Sequence, residues 1–356
     1  MSAEQIFEAH ILNKFPAGIF NPLEGSPNFL ICSYLRDSIN TYFDKNSVEL
    51  RIDTPHFYII QSDTINGCAF TEQGQHFIGI TKGVIDYSAF IFRNIMRDNA
   101  LLPQALWHNI DQQPIIVAEE DFTSWASFCV KNDLSFEALD YNPNSNERRI
   151  ISEALSQYFI FFVVTHEVGH LRQRNPHYLF ELEDAGGSNI SNNLEQQVYE
   201  MDADKFAVNM LAEHLITTYN ERHLEKNAPY RVFFRDEQLI VEYSIFMLYF
   251  MFYFFAHNKR FDKYVTENAH PHPALRVRWS TELLINCLEL NVFLPKEELR
   301  AAYKRSFQNF GNTMEKIFPN SNLRLFFNLV RDKELALHHD VLQELAKGYK
   351  NLNGQY

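Results

Sequence analysis

"FFVVTHEVGHLRQ", residues 161–173, ends an apolar run with two histidines and a glutamate. A helix advances about 100° per residue, so His166 and His170 would stand nearly above one another on one face. Two imidazoles placed this way can hold one tetrahedral ion. Glu167 projects beside them and can act on a water without binding the metal. The bland reading is two histidines packed on an amphipathic helix. Leu155, Phe159 and Phe162 step by three or four residues into His166 and His170, so the apolar stripe and the histidines share a face. Asn144, with Glu147 three residues later, reads as the helix cap and its reciprocal partner, and Asn175–Pro176 as the stop after Gln173.

A catalytic zinc site takes three protein ligands and keeps a further position open. No histidine follows at short spacing, and His177 lies beyond Pro176 on a different backbone path. "YEMDADKFA", residues 199–207, offers a better third ligand in Glu200. It falls on a helix predicted from Asn192, with Glu195 as capping partner, to about Tyr219. Asp204, one turn beyond Glu200, can accept a hydrogen bond from the outer nitrogen of a metal-bound histidine. Glu195 competes as ligand but has its capping role as a separate reason to be there. Between Arg174 and Lys205 there is no lysine or arginine, which suits either a solvated acidic loop or a bound cation.

The strongest strand signals are "ELRID", "HFYIIQS" and "CAFTEQGQHFIGIT", the last a hairpin turning at Gln73–Gly74. Helices are predicted at 28–43, from Lys82 through "VIDYSAFIFRNIM", and around 235–256, 273–289, 295–310 and 333–349. Residues 98–143 are broken by Pro103, Pro114 and Pro143. The sum is a mostly helical α+β chain read as one domain, 1–356: a small sheet at 49–81, a zinc-binding helix pair at 144–219 and a helical part at 220–356.

Composition narrows the function. A chain 46% hydrophobic and 22% charged is globular, and a net charge of -13 argues against a broad nucleic-acid-binding surface. Four widely separated cysteines and an N-terminus without a basic-then-apolar run predict free thiols, no signal peptide and a cytoplasmic location. "IFMLYFMFYFFA", residues 245–256, is apolar but shorter than the roughly 20 residues of a bilayer span. A core helix is therefore favoured over membrane contact through 239–256.

His166-Glu167-x-x-His170 followed by Glu200-x-x-Ala203-Asp204 resembles the gluzincin metallopeptidases, nearest the branch of the heat-shock protease HtpX and the CAAX prenyl proteases. That branch carries a downstream His-Pro motif with an arginine. "AHPHPALRVRW", residues 269–279, fits it twice, as His270 with Arg276 or as His272 with Arg278. The second pair is favoured because "HPA" then opens a helix with proline in its first turn. The resemblance implies that His272 helps hold substrate or transition state, with Arg278 behind it; a plain helix start with a structural arginine is the alternative. "NGCAF" at 66–70 and "IGITKGVI" at 78–85 are similar to the family's hairpin, whose edge strand pairs with extended substrate; His76 to Thr81 is the expected strand. Cys68 could approach the metal from this hairpin. The order of motifs is also similar to that of the Lit phage-exclusion peptidases, which implies cleavage of a host translation factor during phage infection.

The expectation is a zinc-dependent endopeptidase acting on protein or peptide substrates. Glu167 serves as general base and then general acid, and Zn²⁺ is the cofactor. Two competitors remain: a catalytically silent, zinc-stabilised binding protein, and a membrane-associated HtpX-like quality-control protease.

Overall fold

The computed structural model describes residues 1–50, 53–98, 112–118, 124–136, 138–173, 190–222, 232–256, 270–319 and 339–347, with Leu102, Phe326, Asn328 and Val330. Three strands, β1 (His56–Ile60), β2 (Gly67–Glu72) and β3 (Gln75–Thr81), form one sheet in the order β1-β3-β2. Gln73 and Gly74 both take positive φ, 51° and 74°, and this turn sets β2 antiparallel to β3 with Glu72 opposite Gln75. β1 runs parallel to β3.

Side chains alternate across the sheet. Phe57, Ile59, Ile78 and Ile80 face the main core. Ile60, Cys68, Phe70 and Phe77 face a smaller one closed by α1 (Ala3–Ile11), whose Phe7 ring fills the space over Gly79. Helix α2 (Pro27–Leu50) packs on β1.

The main core is built from α3 (Lys82–Ile95), α4 (Trp125–Lys131), α5 (Asn146–Arg172), α6 (Ile190–Arg222), α7 (Glu237–Ala256), α8 (Pro273–Leu290) and α9 (Lys296–Ile317). A further helical stretch covers 339–347. α5 runs through the middle and touches the sheet, α3, α6 and α7. Buried Arg148 in its first turn donates to the carbonyls of Met96 and Asp98 at 2.6 and 2.7 Å, closing the end of α3.

α7 is long and apolar enough to cross a membrane by length and composition, yet 89% of its apolar window is buried inside the fold. A helix apolar all round needs partners on every side, and α5, α8 and α9 supply them. Its one carboxylate below the first turn, Glu242, is buried and pairs with Arg305 of α9, which also donates to Gln238 at 2.9 Å.

Several expected boundaries shift, and the helix expected at 295–310 runs on to Ile317. Ser145 rather than Asn144 caps α5, because its hydroxyl accepts the Arg148 N–H while donating to Glu147. α6 starts at Ile190, two residues ahead of the expected cap, so Asn192 lies inside it. Glu49 and Leu50 of the expected strand "ELRID" end α2 instead, since no breaker stops the helix before them; the Arg51–Ile52 part lies outside the described residues.

Arg305→Ala leaves Glu242 buried without its cation. It should cost about 2 kcal/mol, below the usual figure for a broken buried pair because Arg305 is 35% exposed. A fall in the urea midpoint at unchanged slope checks this, and the double change Glu242→Leu/Arg305→Met should recover most of the loss.

Candidate metal centre

The last turns of α5 place His166 and His170 with their Nε2 atoms 3.1 Å apart. Glu200 comes in from α6, its Oε1 3.3 Å from His170 Nε2 and its Oε2 3.4 Å from His166 Nε2. Ligand atoms about 2.1 Å from a tetrahedral ion stand roughly 3.4 Å from each other, so this spacing fits a zinc-sized ion.

The outer nitrogens decide what the inner ones offer. His166 Nδ1 lies 2.9 Å from Asp204 Oδ1, and His170 Nδ1 lies 3.2 Å from Gln173 Oε1. If each Nδ1 donates, each Nε2 presents a lone pair, and both point at the same place as a carboxylate. Three acceptors converging in a buried site call for a cation.

The electrostatics show how strongly the site draws positive charge, whether a proton on His166 or a metal ion that displaces it. Burial disfavours a charged His166, but the hydrogen bonds to Asp204 and Glu200 outweigh it and raise its pKa to about 10. Burial likewise opposes ionisation of Glu200, yet His270, His170 and His166 hold it well below the usual carboxylate range. Asp204 is fully buried, and the Arg276 guanidinium overcomes that burial to keep it ionised.

Around the donors lies a set of side chains that fix them. Arg276 grips both oxygens of Asp204 at 2.7 Å, reaches within 3.6 Å of Glu200, and stacks over the Phe252 ring of α7. Gln173, 4% exposed, takes the His170 contact on one side and donates to the Tyr199 carbonyl at 2.7 Å on the other. It thereby ties the end of α5 to α6. Sequence reasoning missed Gln173, since a glutamine after a helix end carries no pattern.

The two helices come this close because of Gly169. A β-carbon there would lie 2.7 Å from the Cα of Ala203. Gly169 sits between the two histidines and Ala203 just before Asp204, so the two small residues meet where the helices cross.

Of the doubled His-Pro motif, the structure brings His270 and Arg276 against Glu200 and Asp204, rather than the favoured His272 and Arg278. His270 Nδ1 is 3.0 Å from Glu200 Oε2 and 41% exposed at the mouth of the site. His272 is buried as the N-cap of α8, accepting the Ala274 N–H at 3.1 Å, and Arg278 points to Glu282 at 3.3 Å along its own helix. Both placements follow from "HPA" opening a helix. The cap takes His272 Nδ1, and helical periodicity then puts Arg276 on the inner face and Arg278 on the outer one.

Other candidates fall away. Glu195 contacts Tyr199 at 3.4 Å and is not among the converging donors. Cys68 faces the small core behind the sheet, on the opposite side from Gly67. His177 lies outside the described residues.

Glu167 is buried beside the donors, and its carboxylate reaches β2 at Gly67. A cleft of about 330 Å³ opens here, with Val84, Phe162, Met251, Phe252 and Phe255 as its apolar wall. The strand on its rim is β2, one of the sheet's two edges; β3, the strand expected to receive substrate, is the central one and is paired on both sides.

A family model described as Peptidase U49 matches residues 87–288. The chain belongs to the Peptidase U49 family. This is a family of Lit-like metallopeptidases, and the chain is accordingly a peptidase. The match takes in the whole of α5 and α7, the described length of α6 and the His270–Arg276 segment, while the three strands lie outside it. No curated protein and no solved structure matches the chain.

Replacing Asp204 by Asn should weaken binding of added Zn²⁺ by about 10–100-fold, the usual cost of losing a partner behind a ligand. Competition against a coloured chelator measures it. Arg278→Ala should leave that affinity unchanged, and an equal loss in both variants would return Arg278 to the site.

Proposed function

We propose that this peptidase is a zinc-dependent endopeptidase whose ion is held by His166, His170 and Glu200, with Glu167 as general base. The observation that carries the reading is Glu167. A structural site has no use for a buried carboxylate that stands beside three converging donors and is not one of them. The ion supplies Lewis acidity to the scissile carbonyl and brings a water's pKa to about 7.

The remaining work falls to the chain. The outer edge of β2, unpaired among the described residues, offers backbone groups for an extended peptide, in the manner of β-augmentation. Glu167 accepts the proton of the attacking water and delivers it to the leaving amine. His270, at the open side of Glu200, is placed to donate to the carbonyl oxygen as charge develops there. Arg276 and Asp204 keep the His166 ring in orientation, and their burial spares the site any reorganisation during the reaction. The wall from α7 excludes water from one side of the cleft.

Likeness to the Lit peptidases extends the proposal to a cytoplasmic enzyme that cleaves a host protein during phage infection. Net acidity and the buried state of α7 support a protein substrate over nucleic acid or membrane.

Glu167→Gln should abolish cleavage, by about 10³-fold or more, while retaining one zinc per chain. The same protein expressed as a trap should hold its substrate uncut. Cleavage at the parent rate by the zinc-loaded variant would remove Glu167 from the mechanism.

A further inference from the structure

Glu167 is a long, flexible side chain, and a general base must be held to within a fraction of an ångström. What confines it is visible at Gly67. This glycine lies in β2 opposite Ile80, and its φ is not in the left-handed region, so the backbone does not demand glycine. The space where its side chain would be is occupied. A β-carbon at 67 would lie 2.5 Å from Glu167 Oε1, 3.0 Å from Cδ and 3.1 Å from Cγ. Its three nearest neighbours all belong to Glu167. The contrast with Gly79 on the neighbouring strand is instructive, because there the gap is filled by Phe7, Ile60 and Cys68, ordinary core packing.

Neither side can back away. The start of β2 is pinned by Asn66, whose N–H donates to Thr81 Oγ1 at 3.1 Å and whose carbonyl accepts the Thr81 N–H at 3.0 Å. The Asn66 side chain in turn accepts the Gly67 N–H at 2.8 Å. α5 is fixed on its far side by the Gly169–Ala203 contact. A methyl group at 67 would therefore be absorbed by the Glu167 side chain.

We propose that Gly67 is a positioning residue: the side chain it lacks is the socket that seats the Glu167 carboxylate beside the metal donors. This rests on the reading of Glu167 as general base. It also gives the sheet, which lies outside the family match, a part in the chemistry beyond carrying substrate.

The test is Gly67→Ala in the zinc-loaded, full-length protein with a peptide or protein substrate. The expected result is a kcat lower by about 10²-fold, the scale of an ångström's misplacement, with KM within about twofold. Zinc content and thermal midpoint should match the parent. Glu167→Asp withdraws the carboxylate from position 67, so Gly67→Ala added to Glu167→Asp should cost less than about threefold more. An unchanged kcat, or the same loss in both backgrounds, would overturn the proposal. If Gly67→Ala alone does not fold, Gly67→Ala/Glu167→Ala must restore a folded, zinc-binding protein; failure to do so also overturns it. A dead Glu167→Gln with a fully active Gly67→Ala defeats this inference alone, whereas an active Glu167→Gln defeats the reading beneath it.

Discussion

Lone pairs aimed at a common point repel one another unless positive charge lies among them. His166, His170 and Glu200 bring three such donors together in a buried site, and the helix crossing at Gly169 and Ala203 holds them there. Desolvating a carboxylate costs several kcal/mol and is tolerated only where the charge is met by partners. Here three carboxylates are buried, Glu167, Glu200 and Asp204, and one guanidinium, Arg276, sits between the last two. The excess negative charge, the Asp204 and Gln173 acceptors at the outer nitrogens, and the donor spacing all favour the same occupant, a divalent cation.

The rest of the architecture serves that crossing. α5 is long because it must reach from the end of α3, which Arg148 closes, to the histidines. α7 is apolar on every side because it backs α5, carries the Phe252 ring under Arg276 and lines the cleft. Among the described residues the same helix is the candidate for a membrane span by length and composition, and its Glu242–Arg305 pair shows how a core helix can carry that signal. The small sheet contributes an edge strand and, through Gly67, a contact to the only acidic residue between the two histidines.

Local pattern made much of this legible. The i, i+4 histidines, the Glu200–Asp204 pair one turn apart, the hairpin at Gln73–Gly74 and the buried apolar helix each follow from periodicity or turn chemistry over a few residues. What escaped depends on tertiary geometry. The choice between Arg276 and Arg278 turns on which side of α8 faces α6, and no property of the peptide itself states that. That β3 is central and β2 an edge depends on β1 pairing with β3 rather than β2. Gln173 and Gly67 matter through what they touch. The first helix carries its own local sign in the sequence, the reciprocal capping box of Ser2 and Gln5.

Zinc K-edge absorption on the purified, zinc-reconstituted protein addresses the central claim most directly. The account predicts one zinc per chain in a shell of nitrogen and oxygen at about 2.0–2.1 Å with imidazole outer scattering. A sulfur shell at about 2.3 Å, or zinc that washes away without stoichiometric retention, would contradict it.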